Sequence, residues 1–527
     1  MVSLGFLMAE FKLTYLGHAG WLIEHHEFKC LCDPWFNPAG AFFSQWLPFP
    51  DNTGLLDDEL LENLDFVYIS HAHEDHFDPT VLDRIQKETT VLIPRFKDPT
   101  LSTSLKKLGF RNIKEMTREK VWNIKNIDVR VIEDDGYMDQ DSCLVLADGT
   151  NKILNLNDCH MDFATIEKYV GDVDVLLLQA TSAIWWPCAY DYGDAELKDK
   201  CRQKRTNAVR RATNYAKILN AKLTIPNAGP PFFRERALHH WNETRRDESN
   251  PFILADDAAR MMREENITAS PLSPGDSVIV GEKIKTEIDS GRASAIYDNL
   301  SDYIASYTSR VQDQYPIQKR TIREHKEMVA TFKKRVRDIC DHSQIYAPLL
   351  TFWVLFDFDG VEKVAVNFSK NSIECLQPYD HTLLPQINYQ FVLSPDAMCI
   401  LFAERHIDFE RFFLGTNFKC HRNPDVYNEV LFTLLKNFDL QRLLISEKIY
   451  AERKELLNET YQLKHNDKIY EVQRHCPHML ADLESSGYIN ERGNLVCSLH
   501  GWEFRLDDGR CLNKQRCSLA VKEVNHD

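Results

Sequence analysis

The chain has 527 residues, of which 43% are hydrophobic and 11% aromatic, and its formal net charge is −16. This length exceeds what one hydrophobic core organises, so several domains are expected. The acidity, with no basic stripe to offset it, argues against a nucleic-acid partner. The longest apolar run, residues 349–356, is well below the ~18 residues that span a bilayer, so no membrane partner is expected.

The N-terminus and the cysteines bear on the cellular compartment. The first residues lack a basic segment and hold only a short apolar run, which is not the pattern of a signal peptide. The 14 cysteines show no spacing typical of a disulfide framework, as expected in a reducing compartment. The sequence therefore predicts a soluble, cytoplasmic protein.

Residues 1–245 alternate short apolar strands with turns and helices, which predicts a layered α/β domain. Strands are predicted at residues 11–16, 21–24, 30–32, 65–70, 173–179 and 222–225. A helix is predicted over 78–86, with Asp78 as its N-cap and Pro79 in its first position. A long helix is predicted over 195–220.

The rest of the chain changes composition twice. Residues 246–345 are charged and predict a helical connector, with one long exposed helix over 317–340. Residues 346–450 begin with a hairpin whose strands cover 351–358 and 362–367. A helix is predicted over 425–438. Residues 451–527 consist of short strands and turns, so the chain is predicted to be an α+β multidomain protein ending in an all-β domain.

Directly after the predicted strand 65–70 come His71, His73, Asp75 and His76, here called the HxHxDH loop. In an extended segment His71 and His73 point the same way, and Asp75 and His76 supply a neighbouring site. Imidazole and carboxylate groups at the end of a buried strand can hold two metal ions. A surface histidine cluster without a metal is the alternative.

A second constellation lies near the C-terminus. Cys476-x-His478 is followed, after a gap of 18 residues, by Cys497-x2-His500. Two such pairs are the ligands of a Rieske [2Fe–2S] cluster, in which two cysteines hold one iron and two histidines the other. A zinc site is the alternative, although zinc fingers usually pair cysteine with cysteine and histidine with histidine. Gly501 suits a tight loop over a cluster, and we expect the chain to transfer single electrons.

The HxHxDH loop is the hallmark of the metallo-β-lactamase fold, which residues 11–240 resemble. The sequence Tyr-Leu-Gly-His-Ala-Gly at 15–20 and Asp-Pro-Trp at 33–35 is similar to the branch with the ascorbate-phosphate lactonases and phospholipid hydrolases. The resemblance implies an αββα sandwich. It also implies that Asp158 occupies the place of the aspartate that bridges two metals.

The sequence departs from this family at two ligand positions. No histidine occurs between His76 and His160, so the usual histidine before the bridging aspartate is absent, and an acidic residue at 133–135, assigned here to Glu133, is expected to replace it. Pro-Asn-Ala-Gly at 226–229 stands where the last histidine ligand is expected, and His239 and His240 come only later. A site richer in carboxylates favours iron or manganese over zinc.

The roles of three further side chains follow from their places near these motifs. His160 is a candidate metal ligand or acid/base, or else a structural residue of its loop. Asp75 and His160 are the candidate catalytic residues. His18 is expected to support the site without binding the metal.

A Rieske cluster joined to this fold is similar, with the domain order reversed, to the CMP-N-acetylneuraminate hydroxylase family. The resemblance implies a monooxygenase with one or two non-haem iron ions that uses O2 to hydroxylate or N-oxygenate a polar metabolite. No GxGxxG fingerprint follows a strand, so a ferredoxin, a flavodoxin or a cytochrome, with its NAD(P)H reductase, is the expected electron donor. Trp185, Trp186 and Tyr190 are expected to contact the substrate, with ordinary loop packing as the alternative.

Other hypotheses about the third domain and about the function of the protein stay open. Residues 346–450 resemble a sterol-carrier-like domain, for which a structural or dimerisation module is the alternative. The protein could instead be a zinc hydrolase of an ester, lactone or phosphodiester, with the cluster as a redox sensor. A third hypothesis is an electron-transfer or scaffold protein with an inactive lactamase fold. The sequence leaves the substrate and the oligomeric state open, including a homo-oligomer.

Overall fold

A computed structural model describes residues 10–134, 141–314, 320–376, 386–402, 407–416, 418–477, 480–499, 501–512 and 518–524. Over these residues the chain forms two compact units. The first unit comprises residues up to 134, 141–183 and 201–314, and the second comprises 184–200 and the described residues from 320 onward.

The described part of the first unit contains two large β-sheets, a two-stranded sheet formed by Trp46–Leu47 and Phe232–Phe233, and the helices that cover the large sheets. Its strands are β1 (Phe11–Gly17), β2 (Gly20–His25), β3 (Phe28–Cys32), β4 (Trp46–Leu47), β5 (Phe66–Tyr68), β6 (Thr90–Pro94), β7 (Ile113–Met116), β8 (Trp122–Ile124), β9 (Ile127–Glu133), β10 (Ser142–Ala147), β11 (Lys152–Asn157), β12 (Val175–Gln179), β13 (Leu223–Asn227), β14 (Phe232–Phe233), β15 (Ser277–Val280) and β16 (Ile284–Glu287). Its helices are α1 (Asp58–Leu61), α2 (Pro79–Leu82), α3 (Thr100–Lys107), α4 (Phe163–Tyr169), α5 (Asp194–Ile218), α6 (His239–Glu243), α7 (Ala255–Glu264), α8 (Ser290–Ala293) and α9 (Leu300–Val311); the first residues of α5 belong to the second unit.

The two large sheets pack face to face. An eight-stranded sheet has the order β16-β15-β1-β2-β3-β5-β6-β7, and a six-stranded sheet has the order β13-β12-β11-β10-β9-β8. Alternate residues of β1, such as Phe11 and Leu13, enter a core shared with Val129 and Leu144 of the other sheet. A second core, which includes Val81 and residues of α1 and α3, covers the outer face of the eight-stranded sheet. This architecture confirms the predicted αββα sandwich.

Parallel strands position the loops that carry the candidate ligands. β3, β5 and β6 run parallel to one another in the first sheet, and β11, β12 and β13 do so in the second. The carboxyl ends of parallel neighbours meet at one edge of a sheet. The HxHxDH loop therefore follows the end of β5, and Asp158 follows the end of β11.

The structure confirms the start of the helix predicted at 78–86, but it corrects the end of that helix and the secondary structure predicted for residues 246–345. The helix predicted at 78–86 begins as expected, with the Asp78 side chain accepting from the Thr80 N–H at 2.9 Å, but α2 ends at Leu82. The region predicted as a helical connector also contains the hairpin β15–β16, which extends the first sheet beside β1. The hairpin joins the sheet because Val278 and Val280 are buried in the shared core.

The second unit contains three further sheets. Its strands are β17 (Trp353–Phe358), β18 (Glu362–Asn367), β19 (Ser372–Leu376), β20 (Ile387–Leu393), β21 (Lys419–Arg422), β22 (Thr460–His465), β23 (Lys468–Gln473), β24 (Gly487–Ile489), β25 (Leu495–Cys497), β26 (Glu503–Phe504) and β27 (Val521–Val524). Its helices are α10 (Ile322–His342), α11 (Tyr346–Leu349), α12 (Pro395–Leu401), α13 (Phe409–Leu414), α14 (Glu429–Lys436), α15 (Leu440–Lys454) and α16 (Leu483–Ser486). The sheets have the orders β19-β18-β17-β20-β21, β22-β23-β27 and β24-β25-β26.

The second unit confirms the predicted hairpin, which is β17–β18. The long helix α10 starts later than predicted, after a capping box formed by Thr321 and Glu324. One face of α10 is buried through residues such as Phe332, so the helix is not simply exposed. The likeness of residues 346–450 to a sterol-carrier domain stays a prediction. None of the helices among the described residues has the length and apolar character needed to cross a bilayer.

Candidate metal centres

The candidate ligands of the first unit lie on three loops that meet. The HxHxDH loop follows β5, Asp158 follows β11, and His18 lies in the turn between β1 and β2. His76 Nε2 is 3.4 Å from Asp158 Oδ1, and His18 Nε2 is 2.9 Å from Asp75 Oδ2. Loops that are far apart in the sequence thus form one buried cluster of imidazoles and carboxylates.

Two overlapping groups of three side chains can each hold a metal ion. One group is His18, Asp75 and His76, and the other is His71, His76 and Asp158; the ligand atoms of each group lie within 4.8 Å of one another. Together these five residues are called the ligand cluster. His76 belongs to both groups but has one available ring nitrogen, since Nδ1 faces Asp33. Because one nitrogen lone pair binds one ion, His76 can be a ligand in only one of the two groups at a time.

Asp33 fixes the orientation of His76. The carboxylate is fully buried, accepts hydrogen bonds from the Ser70 N–H at 2.8 Å and the Ser70 hydroxyl at 2.7 Å, and lies 3.1 Å from His76 Nδ1. A carboxylate behind a histidine is the usual support of a metal-binding imidazole, because it sets the tautomer and the ring orientation. The sequence analysis used Asp33 only as part of a family motif and missed this role.

His71 and His73 contact each other beside the cluster. His71 Nε2 is 2.8 Å from His73 Nδ1, and His71 Nδ1 is 3.3 Å from Asp141 Oδ1. Burial lowers the pKa of His71, but the Asp141 and Asp158 carboxylates together outweigh this effect and the net pKa is raised. His73 is half-buried and belongs to neither group of three, so its role as a ligand stays a prediction. Asp141 was not anticipated from the sequence.

The charges of the cluster suit a cation. Burial alone would raise the pKa of Asp75, but His76 and His18 lower it to about 2. Burial likewise opposes the ionisation of Asp158, yet His76 and His71 hold its pKa well below the usual value. Both carboxylates are therefore ionised at neutral pH, which is the form that binds metals.

Unsatisfied buried atoms show that a metal fits the cluster. Asp75 Oδ1, His76 Nε2 and Asp158 Oδ1 are buried and make no hydrogen bond to any described residue. Buried polar atoms are nearly always hydrogen-bonded, and leaving one without a partner costs about 1–3 kcal/mol. A metal ion bound by His71, His76 and Asp158 would supply a partner for His76 Nε2 and for the Asp158 carboxylate, and one bound by His18, Asp75 and His76 would do so for His76 Nε2 and the Asp75 carboxylate. Two carboxylates with several imidazoles form a donor set that iron and manganese accept readily.

Glu133 does not contribute to the cluster, so its assignment as the replacement ligand requires correction. Glu133 Oε1 accepts from Arg118 Nε at 3.0 Å and Oε2 accepts from the Arg118 N–H at 3.1 Å. The Glu133 carboxylate is thus neutralised by Arg118, and neither group of possible ligands includes it. His239 Nε2 and His240 Nδ1 bond to the backbone carbonyls of nearby residues, at 2.9 and 3.1 Å, and are also outside both groups.

His160 lies two residues beyond Asp158. Burial and the positive charge of Arg211 hold the pKa of His160 well below its usual value. A neutral imidazole can accept a proton or bind a metal. His160 is in neither ligand group, so its roles as a ligand or an acid/base stay predictions.

The three predicted substrate-contact residues belong to the second unit. The Trp185 ring lies 5.1 Å from Phe413, measured between centroids, and Trp185 is buried. Trp186 Nε1 donates to the Tyr192 hydroxyl at 3.2 Å. The ring of Tyr190 stacks on Tyr192 at 5.8 Å. Trp185 and Tyr190 are thus packed within this unit, and contact with a substrate stays a prediction.

Cys476 and Cys497 begin two equivalent turns in the C-terminal part of the chain. Each cysteine N–H donates to the carbonyl five residues later, at 2.9 and 2.8 Å. Each cysteine carbonyl accepts from the N–H four residues later, which belongs to Leu480 and Gly501, at 3.0 and 2.8 Å. Leu480 and Gly501 both have positive φ, +58° and +70°. Leucine rarely adopts this conformation, so the repeated geometry indicates that both turns serve one purpose.

Each turn carries one cysteine and one predicted histidine ligand. Cys476 and Cys497 are almost fully buried. His478 and His500 lie outside the described residues. That Cys476, His478, Cys497 and His500 together hold one cluster stays a prediction.

Comparisons with known proteins match two parts of the chain to known domain families. The pattern of the β-lactamase superfamily domain matches residues 12–228, and that of the Rieske [2Fe-2S] domain matches residues 445–523. A protein of Mycobacterium tuberculosis, named as a Rieske 2Fe-2S iron-sulfur protein, is 31% identical over 528 residues, covering 95% of this chain and 98% of that relative. The chain belongs to this family of Rieske iron–sulfur proteins. The recognised combination of a metallo-β-lactamase fold with a C-terminal Rieske domain is confirmed, and the Rieske domain supports a [2Fe–2S] cluster.

More distant relatives of this Rieske family chain include an enzyme. A cytidine monophosphate-N-acetylneuraminic acid hydroxylase of Danio rerio is 26% identical over 233 residues, which are 42% of this chain and 38% of the hydroxylase. Among solved structures, CmlA, a diiron β-hydroxylase of Streptomyces venezuelae, covers 51% of this chain and 54% of its own length. Its sequence identity is 17% and its TM-score is 0.36.

Proposed function

We propose that the protein is a Rieske-dependent non-haem iron oxygenase that acts on a polar small molecule. The proposal is carried by the ligand cluster, whose buried unsatisfied atoms suit a metal, in a chain that also has a Rieske domain. Sequence similarity to a hydroxylase over 42% of the chain supports it. Iron bound at the cluster would supply the activation of O2, and the [2Fe–2S] cluster would supply electrons singly.

In this proposal the residues of the ligand cluster provide the carboxylate and imidazole ligands of the iron. Asp75 and Asp158 provide two ionised carboxylates. The Asp33 carboxylate accepts a hydrogen bond from the Nδ1–H of His76. This leaves the lone pair on Nε2, which is directed at the ligand cluster. His18 and His71 complete the two groups.

In this proposal His160 is the residue that accepts a proton from the substrate. Its lowered pKa keeps the imidazole neutral at physiological pH. A neutral imidazole near the iron can accept a proton from a hydroxyl or an amine of the substrate. Either C-hydroxylation or N-oxygenation is compatible with this role.

Electrons reach the protein from outside in this proposal. Cys476, His478, Cys497 and His500 hold the [2Fe–2S] cluster, and the donor is a ferredoxin, a flavodoxin or a cytochrome with its NAD(P)H reductase. When bound, the [2Fe–2S] cluster would supply single-electron reduction for iron held by the ligand cluster.

Reoxidation of the reduced Rieske cluster by O2 tests the proposal. Protein reduced without oxygen is mixed with O2 in a stopped-flow instrument, and the visible absorbance of the cluster is followed. His76→Gln, which removes the ligand shared by both groups, is expected to slow reoxidation about tenfold or more. His240→Ala is the matched control, because His240 is exposed, its ring bonds the backbone carbonyl of Ala237, and it belongs to neither ligand group. Equal rates in wild type and His76→Gln would contradict the proposal.

A further inference from the structure

Helix α5 is attached to the loop that carries Asp158. The Tyr215 hydroxyl donates a short hydrogen bond to the Met161 carbonyl, three residues after Asp158. The Tyr215 ring also packs edge-on against Phe163, with centroids 4.7 Å apart. Residues three and four positions away on a helix share one face. The face of α5 that carries Tyr215 therefore lies against the loop of a candidate metal ligand.

Arg211 lies on this face, one turn before Tyr215. Its exposed fraction is only 7%, and it makes no hydrogen bond or ion pair with the described residues. Burial lowers its pKa to about 10, so the guanidinium is charged at neutral pH. Its field reaches both His160 and Asp158. A buried charge without a partner is strongly unfavourable, and here it lies beside a candidate reaction site.

Uncharged polar groups with no partner lie at the neighbouring strand ends. Thr181 Oγ1 and Ser182 Oγ, just after β12, are buried without a hydrogen bond to any described residue. The same holds for both polar atoms of the Asn227 side chain, at the end of β13. Since β11, β12 and β13 are parallel, these groups and Asp158 all lie at the carboxyl ends of adjacent strands.

We infer that Arg211 binds an anionic group of the substrate, a carboxylate or a phosphate, next to the ligand cluster. The planar guanidinium can donate two parallel hydrogen bonds to either anion. Asn227, Thr181 and Ser182 offer neutral donors and acceptors to the rest of a polar substrate. This inference rests on the proposed function only in taking the ligand cluster as the place of reaction. It narrows the substrate to a metabolite that carries a carboxylate or a phosphate.

Anion binding tests the inference without turnover. Inorganic phosphate and acetate are titrated separately into the iron-loaded, full-length protein in a calorimeter. Arg211→Gln should raise the dissociation constant about 10- to 100-fold, because a charge-assisted hydrogen bond is lost. Arg211→Lys should retain part of the affinity. Arg210→Gln is the matched control, since Arg210 is the exposed neighbour on the same helix.

The outcomes separate this inference from the oxygenase proposal. Binding of phosphate alone would indicate a phosphate-bearing substrate, and binding of acetate alone a carboxylate; binding of both would show that the site accepts either anion. Arg211→Gln should also unfold at no lower temperature than wild type without anion, because an unpaired buried charge is removed. Wild-type affinity in Arg211→Gln, or no binding of either anion by wild type, would overturn the inference. The titration needs neither O2 nor electrons, so the oxygenase proposal can fail independently.

Discussion

The substitution Asp33→Asn tests whether the buried carboxylate positions His76 as a metal ligand. Asparagine tolerates the φ of +39° found at Asp33 and keeps one oxygen for the Ser70 N–H. The substitution removes the negative charge 3.1 Å from His76 Nδ1. Losing such a carboxylate typically weakens metal binding about 10- to 100-fold, which corresponds to about 1.4–2.8 kcal/mol. We therefore expect a dissociation constant for Fe(II) that is higher by this factor, with the Rieske cluster intact.

Competition with a chromogenic chelator measures the metal affinity, and the electron paramagnetic resonance signal of the reduced Rieske cluster checks the second unit. Asp148→Asn is the matched control. Asp148 Oδ2 lies 3.2 Å from His25 Nε2, with both side chains 6% exposed, and neither residue belongs to the ligand cluster. The control should keep wild-type metal affinity. Unchanged affinity in Asp33→Asn, or an equal loss in Asp148→Asn, would refute the role of Asp33.

Three other substitutions probe separate parts of the chain. Glu133→Gln should leave the metal content unchanged but lower the free energy of unfolding by about 1–3 kcal/mol, because Arg118 loses its charged partner. Metal analysis and urea unfolding measure these two effects. Loss of metal in this variant would indicate that Glu133 is a ligand after all. Burial would raise the pKa of Asp425, but Lys200 and Arg422 lower it to about 2. Its stabilisation is therefore present above about pH 4 and is lost as the pH falls toward 2, and Asp425→Asn should flatten the pH dependence of urea unfolding in that range; an unchanged slope would contradict this. Cys497→Ser should abolish the visible absorbance of the Rieske cluster, whereas Cys511→Ser, another buried cysteine of the same domain, should keep it; equal loss in both would argue against the specific role of Cys497.

The features predicted correctly from the sequence are those with short-range signals. The position of the HxHxDH loop followed from a buried apolar strand that ends directly before it. The start of α2 followed from Asp78 and Pro79, because capping involves only adjacent residues. The turn at Cys497 was indicated by Gly501, whose positive φ favours glycine.

The features that were missed depend on contacts between distant parts of the chain. Glu133 and Asp141 are both acidic and flank the same short segment, but Arg118 neutralises Glu133, whereas Asp141 contacts His71. No local pattern distinguishes these two carboxylates. His18 enters a ligand group because its turn meets the loop of Asp75. Its sequence context indicated only a supporting role.

The most direct test of the proposed oxygenase is the iron and zinc content of each chain, measured on wild-type protein purified without oxygen. The [2Fe–2S] cluster accounts for about two irons per chain. An oxygenase with one or two catalytic irons predicts about three or four irons and no zinc, since the carboxylate-rich ligand cluster would hold the additional iron. About two irons together with one or two zinc ions would contradict the oxygenase and indicate a zinc hydrolase that carries a redox cluster.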